Sequence, residues 1–444
     1  MRHSRKSGQG NYRHPLVSAL SPILSEAAFR PEALPAPASG GTARRWQPLM
    51  LVWTSLLMAW SDACSLGERF TEARAVMAAL FPSRPRVGKT YQGWVKALAV
   101  SGSALLDRLA EVLREQMRSM ASCWTVFGIE AFAVDGSRVE CPRTEANQAV
   151  LKRAGRKKTG PQLSLTTLYH LGSGCPWDYR IGPGTDSERT HLRAMLATLP
   201  PGATIVADAG FIGYELLKDI LASGRHILFR VGSNVTLLKE LGYARVVEDS
   251  TVCLWPDQAQ KRNQLPLVLR LMVVPGAHPV YLVTDVLSET ALSFEQAGAL
   301  YRRRWGVEVF YRSLKQTLGR RKMRCGAPDN VRMELAWSLA GLWVLSVMVV
   351  EATTAEDREP GKVSIAQARD VIRRAMGGHC RANVNLRRQL AAAVQDRYVR
   401  TRSKAARDWP HKKNDRPAGA PKIRSANAKE TQRAKKLSEK TVAA

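Results

Sequence analysis

Two short apolar runs in this chain end in the same way, and that recurrence limits the folds open to it more than any other feature. Ile129 to Val134 runs into Asp135-Gly136-Ser137, and Ala203 to Ala207 runs into Asp208-Ala209-Gly210-Phe211. A buried strand that ends on a carboxylate followed by glycine puts the acid where side chains converge at a sheet edge. Glycine there lets backbone approach a phosphate. Between the two lie apolar stretches from Leu163 to Leu171 and around Trp177 to Ile181, then a helical pattern from Glu188 to Leu199. A helix from Tyr214 to Ser223 and a fifth strand from His226 to Val231 follow. Taken singly, each Asp is better explained as a turn residue. Together they predict an α/β domain with two acids at strand ends.

A third acid stands in a different setting. Tyr301 to Lys315 reads as one helix with two faces: at about 100° per residue, Tyr301, Arg304, Glu308 and Lys315 fall within about 60° of one another, and Val307, Phe310 and Leu314 cluster opposite. Glu308 is the only acid in a segment that otherwise carries Arg302, Arg303, Arg304, Arg312, Lys315, Arg320, Arg321, Lys322 and Arg324. A carboxylate among cations able to hold phosphates is what metal-dependent phosphoryl transfer on nucleic acid requires. A solvated basic helix with one balancing Glu accounts for the same charge pattern.

The spacing of Tyr301, Arg304, Glu308 and Lys315 resembles the Y-R-E-K signature of bacterial insertion-sequence transposases of the DDE type. The meander between two strand-end acids resembles the ribonuclease-H-like fold, in which the first and fourth strands lie side by side. Over roughly residues 129 to 318 the resemblance implies an α/β protein. Its core would be a ribonuclease-H-like mixed sheet with helices on both faces and an inserted β-rich subdomain, flanked by helical N- and C-terminal regions. It implies that Asp135, Asp208 and Glu308 hold Mg²⁺, with Mn²⁺ able to substitute. Arg304 and Lys315 would hold phosphates and Tyr301 would bond the DNA backbone, with Arg312 and Arg320 as further DNA contacts. Trp255, in a Leu-Trp-Pro stretch, would be placed to stack on an extruded base, although buried packing explains it more simply. Asp285 is the main rival to Glu308, but it leads into Ser288 and Ser293 and reads as part of a turn that starts a helix. The resemblance further implies cut-and-paste movement at the terminal inverted repeats of double-stranded DNA, insertion into target DNA, a homodimer in a synaptic complex, and often a hairpin intermediate. The site of action would be the nucleoid in a bacterial cytoplasm.

Composition agrees with a polyanionic partner. Lys and Arg number 67 against 38 Asp and Glu, for a net charge of +29 and a pI near 10.3. The seven cysteines never form a C-x-x-C pair, which argues for reduced thiols in a cytosol rather than a disulfide framework or a structural zinc. Pro15, Ser18, Ser21, Pro22 and Glu26 interrupt the apolar residues near the start, so no signal-peptide core forms. Leu335 to Val350 is uncharged but falls short of the roughly 20 residues a bilayer needs, so it reads as a buried core helix and no membrane partner is expected. The expected organisation is a mobile basic arm over 1–43, a helical DNA-binding domain over 44–125 and a catalytic domain over 126–320 with a β-rich insertion at about 233–285. A helical region over 321–400 and a disordered basic tail over 401–444 complete it. A non-transposing metal-dependent nuclease would share the acids. A non-catalytic basic DNA-binding protein would share only the charge.

Overall fold

The computed structural model describes residues 14–30, 46–82, 87–152, 160–242, 250–276, 278–358, 363–378, 385–394 and 419–442. Helices α1 (Pro15–Leu20), α2 (Pro48–Trp60), α3 (Leu66–Leu80) and α4 (Tyr91–Ser119) precede the sheet. Ser65 and Glu68 form a capping box at the start of α3, and the Thr90 side chain caps α4, so both helices begin where the sequence supplies an oxygen for orphan N–H groups. Then come β1 (Ala131–Glu140), α5 (Glu145–Leu151), β2 (Gln162–His170), β3 (Cys175–Pro183), α6 (Glu188–Met195), β4 (Thr204–Ala207), α7 (Tyr214–Ala222) and β5 (His226–Val231). β1 pairs antiparallel with β2 and β2 with β3, while β1, β4 and β5 run parallel, giving the order β3-β2-β1-β4-β5. That order and those directions are the ribonuclease-H-like core.

Alternation along β1 fixes its two faces. Phe132 and Val134 join the apolar layer that includes Leu192 and Met195 of α6 and Leu217 and Ile220 of α7, together with the amino-terminal helices. Ala131 and Ala133 face the layer that holds Leu300, Val307, Phe310 and Leu314. Helices therefore cover both faces, as a sheet with parallel central strands requires.

The segment after β5 is the β-rich insertion. It comprises β6 (Thr236–Lys239), β7 (Thr251–Leu254), α8 (Asp257–Lys261), β8 (Leu267–Val274) and β9 (Val280–Thr284). β9 pairs antiparallel with β5 and β8 with β9, so the insertion adds four strands to the central sheet, which a strand near the carboxyl terminus extends to ten. Trp255, for which buried packing is the simpler reading and base stacking the alternative, is 3% exposed, and its indole N–H donates to the Gln264 carbonyl at 2.7 Å. It packs in the core of the insertion because the strand before it is buried on both sides.

After β9 come α9 (Phe294–Arg303), α10 (Trp305–Arg312), a π-helical turn at Ser313–Thr317, α11 (Pro328–Thr354), α12 (Ile365–Met376) and α13 (Leu386–Ala391). α11 is long and apolar enough to cross a membrane, yet its apolar stretch is almost wholly buried inside the protein. Val331, Leu335 and Leu339 face one apolar layer and Trp337, Trp343 and Val347 the other. A helix apolar all round is the signature of a core element here.

Two expectations about the ends change. Residues 14–30, read as part of a mobile arm, contain α1, whose Leu16 and Leu20 are fully buried together with Ile23. α1 packs on α12 and α13. Of the carboxyl-terminal segment, 401–418 lies outside the described residues, but β10 (Lys422–Ser425) pairs parallel with β6 and α14 (Ala428–Val442) follows it. Glu430 anchors this unit. Both of its oxygens accept from Arg424, at 2.7 and 2.8 Å, and these bonds hold its carboxyl down at about 2. Because β10 covers the edge of β6, deleting residues 419–444 is expected to leave an open strand edge and to lower solubility. Light scattering against concentration reads this, and scattering equal to that of the full chain would show that the edge needs no cover.

Candidate active site

The sheet register brings the two strand-end acids together. The last paired residues of β1 and β4 are Ala133 and Val206, and Asp135 and Asp208 each lie two residues further along. They are thus neighbours on adjacent parallel strands, whose backbones run about 4.8 Å apart. The Asp135 carboxylate accepts the N–H of Gly136 at 2.9 Å, and Asp208 accepts that of Gly210 at 2.9 Å. Asp285 lies elsewhere. It accepts from the backbone N–H of Ile227 at 2.8 Å and bonds the His226 ring at 2.7 Å. His226 pairs with Thr204, the first residue of β4, so Asp285 sits at the opposite end of the strands from Asp208 and is not part of this site.

The expected single helix is broken at Arg304. α9 ends at Arg303, Val307 N–H reaches back only to the Arg304 carbonyl, and the turn after Arg312 is π-helical, with Leu318 N–H on the Ser313 carbonyl. Such π turns recur at functional sites. Tyr301, Arg304 and Glu308 are joined by contacts rather than by one stripe, and Lys315 reaches the end of β1 instead. Arg304 donates from Nη2 to Glu308 at 3.1 Å and stacks over Tyr301 at 5.6 Å. Lys315 donates to the Ser137 hydroxyl at 2.7 Å, two residues past Asp135. Arg312 is exposed. Arg320, expected to touch DNA, is 3% exposed and instead donates to Ser338 and to the carbonyls of Leu318, Met58 and Ala59. It ties the carboxyl end of α2 to α11.

Electrostatics tie the acids to one another. Burial raises the Asp135 carboxyl to about 6; the Gly136 N–H and Arg304 oppose the rise, and the like charges of Asp208 and Glu308 add to it. Arg304 is held above its ordinary value: burial works against its charge, but Tyr301, Asp135, Glu308 and Asp208 together outweigh it. Burial, then the neighbouring Arg321 charge, lowers Lys315. Because the folded-state value of Asp135 lies above the ordinary 3.8, its charge costs stability fully above about pH 6, partly between, and not at all below about pH 4. Asp135→Asn is therefore expected to raise stability near neutral pH in chelator by about 1–2 kcal/mol after allowing for solvent screening, seen as a higher thermal midpoint. Melts across pH check this, since the gain should vanish near pH 4, and a gain independent of pH would show that the buried charge is not its cause.

Several members of the site carry no signal that a sequence reading could use. Tyr311 donates its hydroxyl to the Asp135 carbonyl at 2.7 Å, fixing the end of β1 against α10. The charge of Arg230, near the end of β5, acts on the buried Tyr301. Glu188, the first residue of α6, lies so close over Gly136 that a Cβ there would come within 2.1 Å of its carboxyl group. Trp305, beside Arg304, is 58% exposed.

Residues 127–344 match the family described as the transposase DDE domain. The segment that carries the three acids is a transposase DDE domain. The chain is 25% identical over 311 residues to transposase InsG for insertion sequence element IS4 from Escherichia coli K12, an alignment covering 65% of this chain and 69% of that one. It is also 25% identical over 185 residues to the putative transposase y4zB of Sinorhizobium fredii, covering 39% and 49%. A cryo-EM structure of the piggyBac transposase synaptic complex with hairpin DNA aligns over 91% of this chain and 90% of that one, with a TM-score of 0.41 and 12% identity.

DDE transposases generally use divalent metal ions, and the acids here can be compared with that need. Among the described residues no three His, Cys, Asp or Glu side chains are gathered tightly enough to enclose an ion. The donor chemistry nevertheless fits. Asp135, Asp208 and Glu308 offer only hard oxygens, the choice of Mg²⁺ and Mn²⁺. All three already act on one buried cation, the Arg304 guanidinium, whose Nε has no acceptor among the described residues.

Proposed function

We propose that this transposase moves an insertion sequence by cut-and-paste transfer, with Asp135, Asp208 and Glu308 as the ligands of Mg²⁺. The observation that supports the reading is the register of β1 against β4, which makes Asp135 and Asp208 neighbours, together with the charges of Asp135, Asp208 and Glu308 acting on the same Arg304 guanidinium. When bound, such ions activate the attacking hydroxyl and stabilise the leaving 3′-oxygen. The remaining work falls to the protein. Lys315, held at Ser137, would contact the phosphate next to the scissile one, and Arg304 would place its guanidinium beside the developing charge. Tyr301 would bond the DNA backbone, and Arg312, on the exposed side of α10, would add a phosphate contact that positions without reading sequence.

The substrate would be the terminal inverted repeats and then a target duplex, with two protomers in the synaptic complex, acting on the bacterial nucleoid. Helices α2 to α4 would recognise the repeat, and Lys89 lies in the loop that leads into α4. Arg84 and Arg86 of that loop, and the basic cluster at 153–158, lie outside the described residues.

The test is strand transfer. A duplex carrying the terminal repeat of the element, with a recessed 3′-hydroxyl, is incubated with supercoiled plasmid and Mg²⁺. Joined product is expected, and its loss in chelator. Nicking of the repeat without joining would favour the non-transposing nuclease, and binding with neither would favour the DNA-binding protein.

A further inference from the structure

The first turn of α6 touches both Asp-Gly turns of the site. Glu188 lies over Gly136, and the next residue, Arg189, reaches the loop that follows Asp208. Arg189 donates from Nε and Nη2 to the Gly210 carbonyl, at 3.1 and 2.8 Å, and from Nη2 to the Ile212 carbonyl at 2.7 Å. Gly210 in turn donates its N–H to Asp208 Oδ1 at 2.9 Å, so one peptide segment lies between the guanidinium and the carboxylate. The rest of the loop is fixed to the core, with Phe211 1% and Ile212 6% exposed. Gly213 completes the fit, since a Cβ there would stand 3.1 Å from Arg189 Nη1.

We propose that Arg189 is a positioning residue for Asp208: its planar fork holds the Gly210 and Ile212 carbonyls, which aims the Gly210 N–H at one carboxylate oxygen and leaves the other turned toward the cation site. A lysine cannot reproduce this, because one ammonium lacks the fixed fork that spans two carbonyls. The inference rests on the proposed ligand role of Asp208, and the partners that orient ligands commonly change metal affinity by about ten- to a hundred-fold when removed.

Mn²⁺ binding to the purified full chain, followed by the electron paramagnetic resonance of the free ion, separates the two claims. Asp208→Ala tests the ligand role, Arg189→Ala and Arg189→Lys test positioning, and a thermal melt of each variant reports on folding. The expected result is Mn²⁺ affinity about ten-fold or more weaker in both Arg189 variants, with melts showing a folded protein. Arg189→Ala should add nothing further in the Asp208→Ala background. If Asp208→Ala weakens Mn²⁺ binding while both Arg189 variants bind as wild type does, the positioning role is wrong and the ligand role stands. If Asp208→Ala itself leaves binding unchanged, both fall. Losses that simply add in the double variant would make Arg189 a general support of the fold.

Discussion

Asp135→Ala, Asp208→Ala and Glu308→Ala are each expected to reduce DNA cleavage by a factor on the order of 10³ or more, the scale of several kcal/mol of lost transition-state charge stabilisation. DNA binding should persist or tighten slightly. Affinity for a polyanion comes mainly from phosphate contacts, and each substitution removes a negative charge from a protein of net charge +29. Gel shift and single-turnover cleavage on the same samples separate the two effects. Retained Mg²⁺-dependent cleavage in one variant removes that residue from the set. The next acid to examine would then be Glu188, which lies over Gly136, and not Asp285, which is bonded at the far end of the strands.

The second large effect is on stability. Arg320 is buried among α2, α11 and the turn after α10, with Ser338 and three carbonyls as its acceptors. Arg320→Ala removes those donors and leaves a cavity, so a loss of about 2–4 kcal/mol is expected, visible as a lower denaturation midpoint. The salt dependence of DNA binding should not change. Arg312→Ala, on the exposed side of α10, should do the reverse, lowering the slope of log affinity against log salt by about 0.9 with the midpoint unmoved. If Arg320→Ala flattens the slope and leaves the midpoint alone, the residue touches DNA and its buried placement is wrong.

These two arginines show what the sequence could reveal. Asp135 and Asp208 were legible because an apolar run ending in an acid and a glycine carries both secondary structure and placement in a few residues. Glu308 was legible from its basic surroundings and its spacing to Tyr301, Arg304 and Lys315. Arg312 and Arg320 look alike in sequence, since each stands in a basic stretch, and only the packing of α2 against α11 puts one outside and the other inside. Trp255 was ambiguous for the same reason. The break at Arg304 has no proline to announce it, and the π turn that carries Lys315 leaves the 3.6-residue pattern of its apolar residues readable. Glu188 and Arg189 were passed over because what they touch is a glycine's empty side and two carbonyl oxygens, which no residue pattern encodes. β10 is four residues of mixed polarity, all exposed, and its identity as a strand comes entirely from the edge of β6.

The central claim is that these acids act by holding a metal ion, and replacing one oxygen ligand by sulfur tests it most directly. In Asp208→Cys the thiolate is a softer donor than the carboxylate and suits Mn²⁺ better than Mg²⁺. Cleavage of a terminal-repeat duplex at saturating enzyme is measured in each ion, for wild type and variant. The account predicts that the variant loses cleavage in Mg²⁺ and regains it in Mn²⁺, with a preference at least about ten-fold larger than that of wild type, equivalent to about 1.4 kcal/mol. A variant whose rate is the same in the two ions contradicts it.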